Sequence, residues 1–515
     1  MITRLRSTAI APFSLAALVY TLFRLPSFFE PHWYTDEAGY ATTAREMLRG
    51  KLLYAGIWNN KPPLHLWTTA ASLRLFGPSE VGFHLVTYLF GLAALGGAAY
   101  AAFRLLSRPR AFAAVFAVAI ILGTPVLDAQ LLIPESLLIA PSTWAGALLL
   151  VRLRPSQPAP GWRWPALVGL LAAVATAYQQ TSLAESAAFL LILLLSPGVT
   201  RRQTAAFVAA FTATTAAWLV PAVILAGWSN VSYALAGFYV SYTTTVLPHD
   251  LGGLLVLAGS MLLATVLAVA GAILGRHRRM PWAGGLWAAA TLLAAAAPQH
   301  AYPHLMLPAI VPTVLLVANV PWPSRRLLPA GQRLRLGTVA TASAVLIAAG
   351  LARITGLDWM SPLYSDSNSL AGYYGGLALV AAQQDSISDW RESFDARVGP
   401  DAEVALWLRM NGLSGYRAVV WSSDCWLYLL ADMDEVMPTP PIYNNFALLG
   451  QNGQVSAFVR SQLPDVIITA DPDTTSFPEI SELLDEDYTQ AFTSGLDHVW
   501  ILNSSPAAET AEAMH

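Results

Sequence analysis

Apolar stretches of about 17–25 residues, each long enough to cross a bilayer, recur through the first ~355 residues of the chain. About eleven such spans can be read: 8–26, 80–103, 111–127, 134–151, 163–179, 183–198, 204–226, 251–275, 282–297, 304–320 and 336–354. The chain of 515 residues is 55% hydrophobic and only 12% charged, with a mean hydropathy of +0.49. Soluble globular proteins carry about 25% charged residues. Water-soluble and disordered classes are therefore excluded, and a polytopic α-helical membrane protein is expected.

The net charge of −3 hides a division: residues 1–357 carry 24 Lys+Arg and 9 Asp+Glu, whereas residues 358–515 carry 5 and 23. A membrane domain over 1–357 and a small acidic extracytoplasmic α/β domain over 358–515 follow as expectations. Alternate connections are arginine-rich: Arg4 and Arg6; Arg104, Arg108 and Arg110; Arg152 and Arg154; Arg201 and Arg202; Arg276, Arg278 and Arg279; Arg325, Arg326, Arg333 and Arg335. The positive-inside rule makes those sides cytoplasmic and puts the acidic tail outside. The first span has a basic start but no small-residue cleavage site ahead of Glu30-Pro31-His32-Trp33, so an uncleaved helix is expected. The single cysteine, Cys425, excludes an internal disulfide.

In the membrane part, the acids Glu30, Asp36, Glu37, Glu46, Glu80, Asp128, Glu135, Glu185 and Asp250 all fall on outer loops or outer helix ends. A transporter more often carries ionisable groups near the midplane, along the ion path. Polar chemistry gathered at the outer boundary instead suggests a surface-facing active site. The first outer loop, 27–79, holds two helical stretches. In Asp36–Arg49, the spacing sets Asp36, Tyr40, Thr43 and Met47 on one face, with Thr35 as N-cap and Gly50 as terminator. Leu64–Phe76 follows Pro62-Pro63, stops at Gly77-Pro78, and at about 13 residues is too short to span, which suits an interfacial helix. Between them Lys61, one of only two lysines, stands beside the rigid Pro62-Pro63. A carboxylate here can take a proton from a hydroxyl or bind a divalent cation, and an ammonium can neutralise a phosphate. The plainer alternative is that Asp36 and Glu37 serve the helix dipole and Lys61 anchors at the interface.

Asp36-Glu37-x-x-Tyr40, then Lys61-Pro62-Pro63-Leu64, then Phe76-Gly77 resemble the C-type (GT-C) polyprenyl-phosphate-sugar glycosyltransferases, in the bacterial branch related to protein mannosyltransferases and aminoarabinose transferase. Pro134-Glu135-Ser136-Leu137 and Tyr302-Pro303-His304-x-x-Leu307-Pro308 are similar to later outer-loop segments of that family. The resemblance implies that Asp36 is the catalytic base or a metal-associated carboxylate. Glu37 and Glu135 become further acids of the catalytic site, and Lys61 the contact to the donor phosphate. Tyr40, His300, Tyr302 and His304 become substrate-binding candidates. It implies transfer of a sugar from a polyprenyl-phosphate donor to a glycan, lipid or protein acceptor outside the bacterial cytoplasmic membrane. No cofactor is required by it, a divalent metal stays open, and no nucleic-acid partner is expected. The chain departs from the family pattern at Gly39, at Gln179-Gln180 and at Gln299-His300, where many relatives carry Arg or Lys. A lipid-carrier transporter and a catalytically degenerate scaffold are the alternatives.

Other residues stay open on sequence alone. Arg24 and Arg353 either snorkel or replace a missing phosphate contact. Tyr233, Tyr239 and Tyr242 form an aromatic belt or stack on a sugar. His300 and His304, four apart, bind metal or contact substrate. In the tail, Ala418–Trp421, Val466–Ala470 and His498–Leu502 read as strands, whereas Val380–Arg397, Ala402–Met410 and Ile480–Leu484 read as helices. Ser504–His515 reads as disordered, and no nucleotide-binding glycine motif occurs.

Overall fold

The computed structural model describes residues 2–153, 161–241, 280–296, 302–319, 370–422, 425–439, 452–470 and 478–512. The expected spans 251–275 and 336–354, and with them Arg353, Tyr242, Asp250 and His300, lie outside the described residues. The others coincide with α1 (Ile2–Arg24), α4 (Glu80–Leu105), α5 (Arg108–Gly123), α6 (Pro134–Arg152), α7 (Arg163–Tyr178), α8 (Leu183–Leu195), α9 (Arg201–Ala226), α11 (Met280–Ala296) and α12 (Leu307–Asn319). Among the described residues, four segments are long and apolar enough to cross a bilayer: Ala11–Phe29, Glu80–Leu105, Pro134–Arg152 and Arg201–Ala226. The remaining helices are shorter than the apolar runs suggest. Thr124-Pro125 stops α5 at Gly123, and Gln179 leaves α7 in extended backbone before a 3-10 turn over Gln180–Ser182.

The chain divides into two compact units. The first comprises Met1–Phe28, His84–Val220 and Asp250–Met360. Its helices pack α6 on α7, α1 on α5, and α11 on α8 and α12. Its core includes Tyr20, Leu95, Val115, Leu149, Phe189, Trp287 and Leu307. Small residues let the backbones close up. A Cβ on Gly169 of α7 would lie 2.3 Å from the carbonyl oxygen of Phe207 in α9. Leu22, Leu194, Leu195 and Val220 point outward from this unit, as suits helices whose surroundings are hydrocarbon rather than water.

The second unit comprises Phe29–Phe83, Pro221–His249 and Ser361–His515, so it joins the first outer loop to the acidic tail. The loop supplies α2 (Thr35–Leu48) and α3 (Pro63–Phe76), and the next segment supplies α10 (Trp228–Ser232) with a π turn at Tyr233–Gly237. The tail begins with α13 (Leu370–Ala381), α14 (Ile387–Glu392) and α15 (Val398–Met410), followed by β1 (Arg417–Trp421), α16 (Trp426–Leu430) and β2 (Asp434–Glu435). It continues through α17 (Asn452–Gln462), β3 (Val466–Ala470), α18 (Pro478–Asp487), β4 (Tyr488–Ser494), β5 (Asp497–Leu502) and α19 (Pro506–Glu512). The five strands form one mixed sheet in the order β2-β1-β3-β5-β4. β1 runs parallel to β2 and β3, with Ala418 opposite Val466, whereas β5 runs antiparallel to β3 and β4. Val419, Trp421, Ile467, Ile480, Leu483 and Leu502 bury one face.

Two readings of the tail change. The helical run expected over Val380–Arg397 is interrupted after Ala381, because Ser386 accepts from the Asp389 N–H and starts a new helix. Ser504–His515 is not disordered throughout: Pro506–Glu512 form α19, and Pro506 sits at its first turn, where its missing N–H costs nothing.

Candidate active site

Helix α2 starts one residue earlier than the sequence suggests. Tyr34, in extended backbone, is its N-cap without a side-chain cap bond, and Thr35 is already helical. Asp36 and Glu37 therefore occupy the first turn, where carboxylates favour the helix dipole. Adjacent residues on a helix diverge by about 100°, and the two acids separate accordingly. Asp36 is exposed and Glu37 is buried. Tyr40, one turn on, is buried, and Thr43 Oγ1 donates to the Gly39 carbonyl at 2.8 Å. Gly50, at φ +99°, ends the helical region as its lack of a side chain permits.

The turn between α2 and α3 holds Lys61 in a frame of aromatic and amide groups. The Tyr54 hydroxyl donates to the Lys61 carbonyl at 2.7 Å, and the Lys61 N–H donates to Asn59 Oδ1 at 3.1 Å. Asn59 Nδ2 in turn donates to Thr43 Oγ1 at 3.3 Å. The Lys61 ammonium donates to the Tyr239 hydroxyl at 3.1 Å. It stands 6.0 Å from the Tyr40 ring centroid and 5.7 Å from that of Tyr239. His65 meets Tyr40 edge-on at 4.5 Å, which fixes that ring. Pro62 then caps α3 in extended backbone and Pro63 opens it. Burial, then the neighbouring Tyr239, raise the pKa of Tyr54, so its phenol remains a donor. The tyrosines read as an aromatic belt thus do more than mark an interface: Tyr239 touches the ammonium, while Tyr233 lies against Trp58 at 6.2 Å.

The membrane unit carries a second polar set. A 3-10 turn at Pro125–Leu127 ends on Asp128 in left-handed backbone, φ +52°. Its carboxylate lies 3.5 Å from His304 Nδ1, and the His304 ring stacks on Tyr302 at 5.5 Å. Pro134 opens α6 and puts Glu135 in its first turn. Glu135 is buried and accepts from Gln179 Nε2 at 2.8 Å. At Gln179 this chain thus answers the carboxylate with an amide. Glu135 also lines a small cavity with Leu138, Thr181, Ser182, Glu185 and Leu305. Glu185 accepts from Ser142 and, at 3.4 Å, from Trp287 Nε1. Its place at this cavity is invisible in sequence, because its partners lie on α6 and α11. Arg24 does not snorkel. It is 1% exposed and donates to Thr87 Oγ1 at 2.7 Å.

The residues singled out by sequence thus fall into two sets, each within its own unit. Asp36, Glu37, Tyr40 and Lys61 share the second unit, and Glu135, Tyr302 and His304 share the first. Within the former, Tyr40 and Lys61 are brought together directly. His300 lies outside the described residues, so the His300–His304 pair is not part of the site described. Among the described residues no group of three or more His, Cys, Asp or Glu is placed to hold a metal ion. Asp36 therefore has no ready-made cation cage among them, and no step below runs through a metal.

Comparison with known proteins gives three findings. Residues 60–228 match the family described as dolichyl-phosphate-mannose-protein mannosyltransferase, a segment that includes Lys61 and Glu135 but not Asp36. The fold matches the crystal structure of ArnT from Cupriavidus metallidurans bound to undecaprenyl phosphate, with TM-score 0.60 and 15% identity over 97% of this chain and 98% of that one. It also matches the Archaeoglobus fulgidus oligosaccharyltransferase in complex with zinc and sulfate, with TM-score 0.50 and 13% identity over 89% of this chain and 68% of that one. No curated protein sequence matches the chain. The likeness to these solved structures is one of fold, and it agrees in fold with the resemblance read from the sequence.

Proposed function

We propose that this multi-pass membrane chain, with its C-type glycosyltransferase fold, transfers a sugar from a polyprenyl-phosphate donor to an acceptor on the outer side of a bacterial cytoplasmic membrane. The observation that carries the reading is the Lys61 ammonium, held by Tyr239 and flanked by the Tyr40 ring in the outer-loop unit. An ammonium fixed in a partly dehydrated aromatic frame offers a phosphate oxygen a stronger partner than one in open water. The ligand of the matched ArnT structure, undecaprenyl phosphate, is of the same chemical class as the donor proposed here.

In this reading Asp36, exposed at the start of α2, takes the proton of an acceptor hydroxyl. The hydroxyl oxygen attacks the anomeric carbon, the bond from that carbon to the phosphate oxygen breaks, and the polyprenyl phosphate leaves with the electron pair. Lys61 compensates the charge gathering on the leaving phosphate. Such preorganised electrostatic compensation is usually the largest single contribution to rate. Attack from the face opposite the leaving group inverts the anomeric centre. Glu37, buried beside Asp36, holds the local negative charge, and Tyr40 sets the Lys61 position.

The test is sugar transfer in reconstituted membranes with a panel of labelled polyprenyl-phosphate sugars and cell-envelope extract as acceptor source. Transfer by the wild type that Asp36→Asn loses supports the enzyme and names its donor. Equal transfer by both removes Asp36 from the mechanism. Carrier movement across the bilayer that survives both Asp36→Asn and Lys61→Ala would replace the transferase reading with a transporter.

A further inference from the structure

The helix that carries Asp36 and Tyr40 ends in a buried charge cluster, and that cluster closes on the tail. Glu46 is 0% exposed. Three cations surround it: Arg45 Nη2 at 3.0 Å, Lys51 Nζ at 2.9 Å and Arg49 Nη1 at 3.4 Å. Each cation has a second partner, and all of those partners lie between Tyr428 and Glu435. Arg45 donates to the main-chain carbonyls of Tyr428 and Met433. Arg49 donates to the Met433 carbonyl at 3.2 Å and to Asp432 at 2.7 Å. Lys51 donates to the Glu435 carbonyl. One turn earlier on α2, Thr42 Oγ1 donates to the Cys425 carbonyl at 3.0 Å.

A surface ion pair contributes little to stability, and this cluster is of a different kind. A fully buried carboxylate persists only when paired, and here its charge is met by cations whose remaining donors go to main-chain carbonyls of the tail and, from Arg49, to the Asp432 carboxylate. Such an arrangement fixes direction more than it adds stability. The guanidinium forks and the ammonium have one geometry in which Glu46 and the turn at 428–435 are both satisfied. Helix α2 is thereby set in rotation and height against β1–α16–β2, and the segment after Lys51, which leads to Lys61, starts from a fixed point.

We infer that Glu46 is a positioning residue: through Arg45, Arg49 and Lys51 it clasps helix Thr35–Leu48 to the turn Tyr428–Glu435, and so holds Asp36 and the Lys61 segment in working register. The kinetic half of this inference rests on the transferase reading above, and the structural half does not.

The experiment uses the full chain in lipid nanodiscs, with Glu46→Gln, Glu46→Asp and Arg49→Gln beside the wild type. Two readouts are taken: amide deuterium exchange across 36–48, and kcat and donor KM for sugar transfer. Glu46→Gln is expected to raise exchange across 36–48 by about tenfold while leaving 398–410 unchanged, because local opening alone becomes easier. Transfer is expected to lose about tenfold in kcat with donor KM changed by less than about threefold, the signature of a misplaced reacting group. Glu46→Asp, which keeps the charge, should recover most of that loss. Arg49→Gln leaves Glu46 with Arg45 and Lys51, and should shift both readouts the same way by a smaller amount. It also decides the matter if Glu46→Gln does not fold. Unchanged exchange in both variants overturns the clasp, and raised exchange with unaltered kcat overturns the positioning role. A wild type that transfers nothing from any donor overturns the transferase reading, and the exchange readout then decides the clasp by itself.

Discussion

Gln179 donates its side-chain Nε2 to Glu135 Oε1 at 2.8 Å, within the membrane unit and out of reach of bulk water. The two residues are far apart in sequence and meet because α7 packs on α6. The pairing explains how a buried acid at the start of α6 is kept with no basic partner among the described residues.

Gln179→Ala should therefore destabilise the protein, since it leaves a buried carboxylate oxygen without its donor at a cost of about 1–3 kcal/mol. Thermal unfolding of the purified protein checks this, and Gln179→Lys should unfold at or above the wild-type temperature because it offers the same oxygen an ammonium. A Gln179→Ala protein as stable as the wild type would show the bond to be dispensable.

Lys61→Met should raise donor KM by about tenfold or more, the loss of a charge-assisted contact to phosphate being about 1.5–3 kcal/mol. Lys61→Arg should restore little, because the frame made by Tyr40, Tyr54 and Tyr239 holds a compact ammonium rather than a planar fork. Tyr239→Phe, which removes one hydrogen bond and keeps the ring, should cost about threefold. Steady-state kinetics with the donor found active separates these outcomes.

Glu435, 2% exposed at the end of β2, has its pKa raised to about 8, chiefly by burial, with the nearby Lys51 opposing the shift. Between the ordinary carboxylate value of 4.5 and about 8 the folded protein holds a proton that the unfolded chain releases. This group's contribution is fully present below the lower value and is lost as pH rises through the upper one. Melting temperature should accordingly fall as pH increases across that window. Glu435→Gln, permanently neutral, should flatten the fall, and an unchanged slope in that variant would exclude Glu435 as its source.

Gly169→Leu should disrupt the membrane unit, because even a Cβ there meets the Phe207 carbonyl at 2.3 Å and the α7–α9 approach has no room to relax. Gly161→Ala, where nothing lies within 4 Å of the added carbon, should behave as wild type. Size-exclusion profiles and melting of the two proteins in the same detergent give the comparison.

Much of the architecture is legible in sequence because it follows from one-dimensional rules. Apolar runs report a membrane solvent, and Pro62-Pro63 and Gly77 report where α3 starts and stops. In the tail, the runs at Ala418–Trp421 and Val466–Ala470 announce β1 and β3 by their β-branched and apolar content. β4 carries no such signal: Tyr488–Ser494 is largely polar and exposed, and it is a strand because β5 offers it an edge. The helix lengths were harder to read, since hydropathy continues across Thr124-Pro125 and Gln179 while backbone hydrogen bonding does not.

The sequence by itself determined the chemistry available: carboxylates at Asp36, Glu37 and Glu135, and Lys61 beside two prolines. Tertiary structure alone decided how that chemistry is held. It set Tyr239 on the Lys61 ammonium, Gln179 on Glu135 and His304 near Asp128, and it wrapped Glu46 in three cations that reach the tail. The reason is physical. Covalent neighbours report local propensity, whereas these contacts, apart from those of Glu46 with its own near neighbours, join residues dozens to hundreds of positions apart, and those that run to main-chain carbonyls leave no trace in side-chain identity.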